Sequence, residues 1–183
     1  MDNYEKCPHP IQVVWGLVKE HFSVENRNDL LPHCYQTFEK SFFAKLCHKL
    51  AIAADAGDAL SAQVFTDAGK ALARAIKALL PNVSPELTST GDLNIVCVGS
   101  VWKSWHLLKM GFVKELNTVN IPFTISMTNL KETMALGATY LAADAINVDL
   151  TRDYTKNCEI FYKYQQATPV AVNGKTNGHS KGE

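Results

Sequence analysis

The sequence has no stretch approaching the roughly 18–20 uninterrupted apolar residues that a membrane-spanning helix requires, so no membrane partner is expected. It has no excess of either charge: 18 Lys plus Arg face 18 Asp plus Glu in 183 residues. A basic footprint for nucleic-acid phosphates is therefore missing, and no nucleic-acid partner is expected. Met1-Asp2-Asn3-Tyr4-Glu5-Lys6 has no apolar run behind it, so a signal peptide is not expected and a cytoplasmic protein is. Neither Gly-x-x-x-x-Gly-Lys-Ser/Thr nor Gly-x-Gly-x-x-Gly occurs, which removes two common phosphate cradles. Cysteine is sparse and odd in number, at Cys7, Cys34, Cys47, Cys97 and Cys158, which fits reduced thiols better than a disulfide framework. The adjacent pairs His33-Cys34 and Cys47-His48, and Cys7 with His9, lack the spacing that lets two side chains grip one tetrahedral zinc. No metal ligand is expected.

What is present is apolar content. At 46% hydrophobic the chain can build one globular domain with a core, and wholesale disorder is excluded. Ile11, Val14, Trp15 and Val18 recur at helical spacing after Pro10, and residues 23–29 are polar and turn-prone. A long helix is expected from about Tyr35 to Ala56-Gly57, with Phe38, Phe42, Phe43, Leu46 and Leu50 as its buried stripe. Asp58 reads as the N-cap of another, running to Leu80 before Pro81, with Leu60, Val64, Ala68, Leu72, Ala75, Ile76 and Leu79 inward. Its many alanines imply close packing against a neighbour.

After a loop at 82–92 the period changes. Residues 93–98, Leu-Asn-Ile-Val-Cys-Val, form a short β-branched run typical of a buried parallel strand. Gly99-Ser100 interrupts it and a helix is expected at once, through Met110. A second strand is expected at about 123–127, then a helix from Lys131 to Ile146 crowded with small residues. The order β-α-β implies a parallel pair. Two strands make a poor sheet with both edges open, so the pattern looks like half of one.

The segment most able to carry chemistry is Val96 to Trp105. A strand that turns through Gly-Ser into a helix sets backbone N–H groups at the carboxyl edge of a sheet, where α/β proteins bind anions. At about 100° per residue, Val101, Trp105, Leu108 and Phe112 share the core arc, with Ser100 and Ser104 beside it. Ser100 either caps the helix or lines a cleft, and Ser104 either faces solvent or joins it; spacing leaves both open. Asp92, Asp144, Asp149 and Asp153 are isolated carboxylates, suited to caps, turns or solvent. No Ser/His/Asp or Cys/His arrangement follows from spacing, so no catalytic residue is assigned.

The run CVGSVWKSWHLLKMGF (97–112) resembles the C-terminal half of the eukaryotic N-acetylglucosamine kinases. The resemblance extends through FAKLCHKLA (43–51), AGDALSAQVFTDAGKAL (56–72), ALGATYLAADAI (135–146) and YTKNCEIFYKY (154–164), with VGSVWKSW its most specific part. It implies an α/β chain, the C-terminal lobe of an actin-like ATPase (ribonuclease H-like) fold, truncated to a helix-rich fragment with two parallel strands. Residues 1–165 would be a partial nucleotide-side lobe and 166–183 a disordered tail. The implied activity is phosphorylation of the 6-hydroxyl of N-acetylglucosamine by ATP with Mg, in a homodimer. Gly99, Ser100 and Ser104 would line the nucleotide side of the cleft, and Ala44 would lie against the nucleotide.

The family's glycine-rich phosphate hairpin, its proton-accepting aspartate, its second phosphate loop and its antiparallel meander have no counterpart in these 183 residues. The chain is therefore expected to be a fragment, a short isoform or an incomplete gene product, inactive or nearly so alone, because phosphoryl transfer depends on positioning and charge stabilisation. The alternative is a non-catalytic nucleotide-binding or dimerising module that pairs with a full-length subunit. An activator of acyl-CoA-reducing enzymes, with an iron–sulfur cluster shared across a dimer, is a third reading; the scattered cysteines offer it no motif.

Overall fold

A computed structural model describes residues 8–131, 134–153 and 156–166. The expected tail, apart from Gln166, lies outside the described residues, as does Cys7. In chain order the helices are α1 (Gln12–Phe22), α2 (Leu31–Tyr35), α3 (Lys40–Asp55), α4 (Ala59–Leu79), α5 (Pro85–Thr88), α6 (Trp105–Leu116) and α7 (Met134–Ala145). The strands are β1 (Asp92–Cys97), β2 (Thr124–Leu130) and β3 (Cys158–Tyr164). No helix among the described residues is long and apolar enough to cross a membrane.

Helix α3 starts five residues later than its periodicity suggests. The amides of Gln36 and Thr37 both donate to the Pro32 carbonyl and close α2, and the extended backbone of Glu39 opens α3. Phe38 falls in the break and is 60% exposed instead of buried. Phe42 and Phe43 pack on Phe22 of α1, with ring centroids 5.4 and 4.8 Å away. Gly57, at φ +96°, turns the chain out of α3, and Asp58 Oδ1 then accepts the Ser61 amide at 2.8 Å, the cap that its position predicts.

The inward face of α4 differs from the expected stripe. Its buried residues are Ser61, Phe65, Thr66, Gly69 and Ala73, whereas Val64 and Leu79 are exposed. Close approach of α6 is the reason. A Cβ on Gly69 would lie 2.1 Å from the Leu108 carbonyl oxygen, and one on Gly111 would lie 1.8 Å from that of Thr66. Where two helix backbones meet, the smallest side chains mark the interface, and the large apolar ones move to its flanks.

Lys77 Nζ donates to Glu115 Oε1 at 2.8 Å and also to Thr118, while Arg74 Nε lies 3.5 Å from the same carboxylate. The Lys77 hydrogen bond, aided by the charges of Lys77 and Arg74, holds the Glu115 carboxyl below its ordinary value of 4.5. A carboxyl depressed by folding stabilises the fold above its unfolded pKa, and that contribution is lost as pH falls through the folded value. Glu115→Gln is expected to lower the thermal midpoint at neutral pH, with the gap to wild type closing as pH falls through and below the ordinary carboxylate range. Thermal melts across that range check the sign.

The sheet has three strands in the order β1-β2-β3, not the two expected. β1 and β2 are parallel, with Ile95 opposite Met127, as the β-α-β order predicts. β3 runs antiparallel to β2, with Ile125 opposite Tyr164 and an irregularity between Met127 and Thr128. One face packs on α4 and α6 through Cys97, Ile125, Met127, Tyr164, Phe112, Leu116 and Ala73. On the other, Ser126 donates to Asp92 at 2.8 Å and Thr128 pairs with Asn94, so the buried hydroxyls of the central strand are satisfied. Among the described residues no strand pairs with the outer edge of β1.

Candidate functional site

The carboxyl ends of β1 and β2 lie side by side, Cys97 opposite Asn129. Just past β1, Gly99 has φ +108° and ψ 161°, a conformation open in practice to glycine alone. A Cβ there would meet nothing within 4 Å, so backbone angle, not crowding, requires the glycine. The chain then enters a 3₁₀ turn over Ser100–Ser104, and α6 proper starts only at Trp105 and continues to Leu116. This corrects the expectation of an immediate helix ending at Met110. The turn is anchored by rings: Trp105 contacts Trp102, Phe112 and Tyr162 at 6.2, 5.1 and 4.8 Å between centroids. Leu108 and Phe112 are fully buried, with Val101 and Trp105 partly so, which matches the predicted arc.

Two concavities meet here. A groove of about 500 Å³ runs between α3 and the 3₁₀ turn. Ser41, Ala44, Lys45, Cys47 and His48 form its α3 wall, and Ser100, Val101, Lys103 and Ser104 form the other. A smaller cleft of about 260 Å³ sits at the strand ends, lined by Cys97, Val98, Gly99, Trp102, Lys103, Asn129 and Leu130. Three of the four residues singled out in the sequence, Ala44, Ser100 and Ser104, thus share one groove although 60 positions separate Ala44 from Ser104. Gly99 lies in the adjoining cleft. Ser104 occupies the N-cap position of α6 but makes no capping bond, and Ser100 opens the 3₁₀ turn directly after Gly99. Among the described residues neither hydroxyl has a hydrogen-bond partner, and both line the groove.

The lining is one-signed. Lys45, His48 and Lys103 border the two concavities, and among the described residues no Asp or Glu does. The isolated carboxylates are elsewhere: Asp92 accepts from Ser126, Asp144 pairs with Arg152, and Asp153 accepts the Lys156 amide. Cys97 is buried, and burial pushes its thiol up to about 11 against a smaller opposing effect of the Thr128 backbone hydrogen bond, so it is a neutral wall and not a nucleophile. Cys47 is raised in the same direction by burial. Among the described residues no three His, Cys, Asp or Glu side chains converge to hold a metal. Among the described residues lining the two concavities none carries a carboxylate, the oxygen donor that Mg prefers.

Sequence reading passed over Lys45, His48, Lys103 and Asn129. Two of them were within reach, since Ser41, Ala44, Lys45 and His48 are spaced three and four apart on one helical face. Asn129 needed the strand register. Searched against models of known protein families, the chain matches none.

Proposed function

We propose that this chain is the nucleotide-side lobe of an ATP-dependent sugar phosphotransferase of the actin-like class. Within that class we assign it to N-acetylglucosamine 6-phosphorylation, by the resemblance in VGSVWKSW. The observation that carries the reading is the convergence of Ala44, Ser100 and Ser104 on one groove beside the carboxyl ends of two parallel strands. A groove with a small side chain at Ala44 in its α3 wall admits a flat base, and the Ser100 and Ser104 hydroxyls on the opposite wall can hydrogen-bond a ribose. The outer edge of β1, unpaired among the described residues, supports a sheet completed by further strands, since a parallel edge strand is rarely left open to water.

These residues bind and orient; they do not abstract the sugar proton. Among the described residues no carboxylate borders the groove, so in this proposal the base comes from a facing lobe, and Mg would be held there and by the phosphates. Bound Mg-ATP supplies the transferable phosphoryl group. In this proposal the chain alone binds nucleotide and turns over N-acetylglucosamine negligibly. Calorimetry with ATP, alongside a coupled assay with N-acetylglucosamine, tests both halves: clear turnover by the isolated chain, or absence of nucleotide binding, contradicts it. The alternative is a non-catalytic nucleotide-binding or dimerising module that pairs with a full-length subunit. Co-purification of a nucleotide-binding pair without sugar phosphorylation would select it.

A further inference from the structure

Among the described residues, Lys103 alone borders both the groove and the cleft at the strand ends. It stands between Trp102, which lines the cleft, and Ser104, which lines the groove. Lys45 and His48 line the facing wall of the groove, on α3. Among the described residues none of the three is paired with a carboxylate, in contrast to Lys49, Lys70, Lys77 and Lys163. In a chain with balanced charge, two concavities that share Lys103, with Lys45 on the facing wall and no acidic side chain among their described lining residues, favour anions. Gly99 adds space at the far end, where the chain can be approached without meeting a side chain.

We infer that Lys103, with Lys45 and His48 across the groove, is the phosphate-binding element of this site. The ligand it fits is an adenosine di- or triphosphate whose phosphates cross from the groove into the cleft at Gly99. The inference rests on the nucleotide reading of the groove but is separable from it. A lysine at the junction meets the phosphate chain as a mobile point charge, while the base and ribose stay in the groove. Lys103 is a binding residue here, and its effect belongs to the phosphates alone.

The test titrates adenosine, ADP and inorganic pyrophosphate into the 183-residue chain without added magnesium, by calorimetry and tryptophan fluorescence. Wild type, Lys103→Met and Lys103→Arg are compared after their unfolding midpoints are shown to agree. ADP is expected to bind wild type about tenfold or more tightly than adenosine, an advantage that shrinks with added salt. Lys103→Met is expected to remove that advantage, spare adenosine and abolish pyrophosphate binding, while Lys103→Arg keeps most of it. Equal loss for adenosine and ADP, or no loss for either, overturns the role of Lys103 and leaves the groove reading standing. Lys103-dependent pyrophosphate binding without adenosine binding does the reverse. Binding of none of the three overturns both.

Discussion

Gly111→Ala is expected to cost at least about 3 kcal/mol, enough to leave much of the chain unfolded at 37 °C if its stability is ordinary. The added methyl would sit 1.8 Å from the Thr66 carbonyl oxygen and 2.7 Å from its carbon, both backbone atoms. No rotamer change relieves that. Helices α4 and α6 would have to separate, opening the packing around Phe65, Leu108 and Phe112 that joins the two core clusters. Gly69→Ala meets the Leu108 carbonyl at 2.1 Å and is expected to behave alike. Gly137→Ala is the opposite case: the glycine lies inside α7, an added methyl would meet nothing within 4 Å, and alanine is the better helix former. It is expected to stabilise by up to about 1 kcal/mol. Denaturant unfolding of the three variants checks both signs; a tolerated Gly111→Ala would mean that α4 and α6 do not meet as described.

Ala44→Leu is expected to weaken adenosine-nucleotide binding by about a hundredfold while leaving stability within about 0.5 kcal/mol. Ala44 is exposed on α3, and leucine nearly equals alanine in helix propensity, so the fold has little reason to respond. The groove does, because an isobutyl group would fill the space opposite Ser100 and Ser104. Ala44→Ser, which adds one atom, is expected to stay within a few-fold of wild type. Affinity for ATP, measured beside the unfolding midpoint, separates a blocked groove from a damaged fold. Unchanged affinity in Ala44→Leu would remove the groove from the nucleotide site.

The contrast between these two substitutions shows what the sequence disclosed. The start of α4 followed from its cap at Asp58, because a local hydrogen bond decides it, whereas the starts of α3 and α6 did not follow from period alone. The buried face of α4 did not follow, because it is set by how near α6 comes, a distance no single helix encodes. Strand β3 was missed for a related reason. Cys158-Glu159-Ile160-Phe161-Tyr162-Lys163-Tyr164 mixes charges with aromatics, and its pairing irregularity opposite Met127/Thr128 breaks the two-residue alternation. At the site, Ala44, Ser100 and Ser104 were nameable through resemblance to a kinase family. Their meeting in one groove, and the junction position of Lys103, required the packing of α3 against the 3₁₀ turn.

The central claim is that nucleotide enters the groove between α3 and the Ser100–Ser104 turn. Its most direct test is backbone amide chemical-shift mapping of the isotopically labelled chain during titration with ADP. The predicted result is a saturable shift of the amides of Ala44, Lys45, Gly99, Ser100, Lys103 and Ser104. Met110, Lys114 and the rest of the outer face of α6 should stay still. Shifts confined to that outer face, or none at millimolar ADP, would contradict the account.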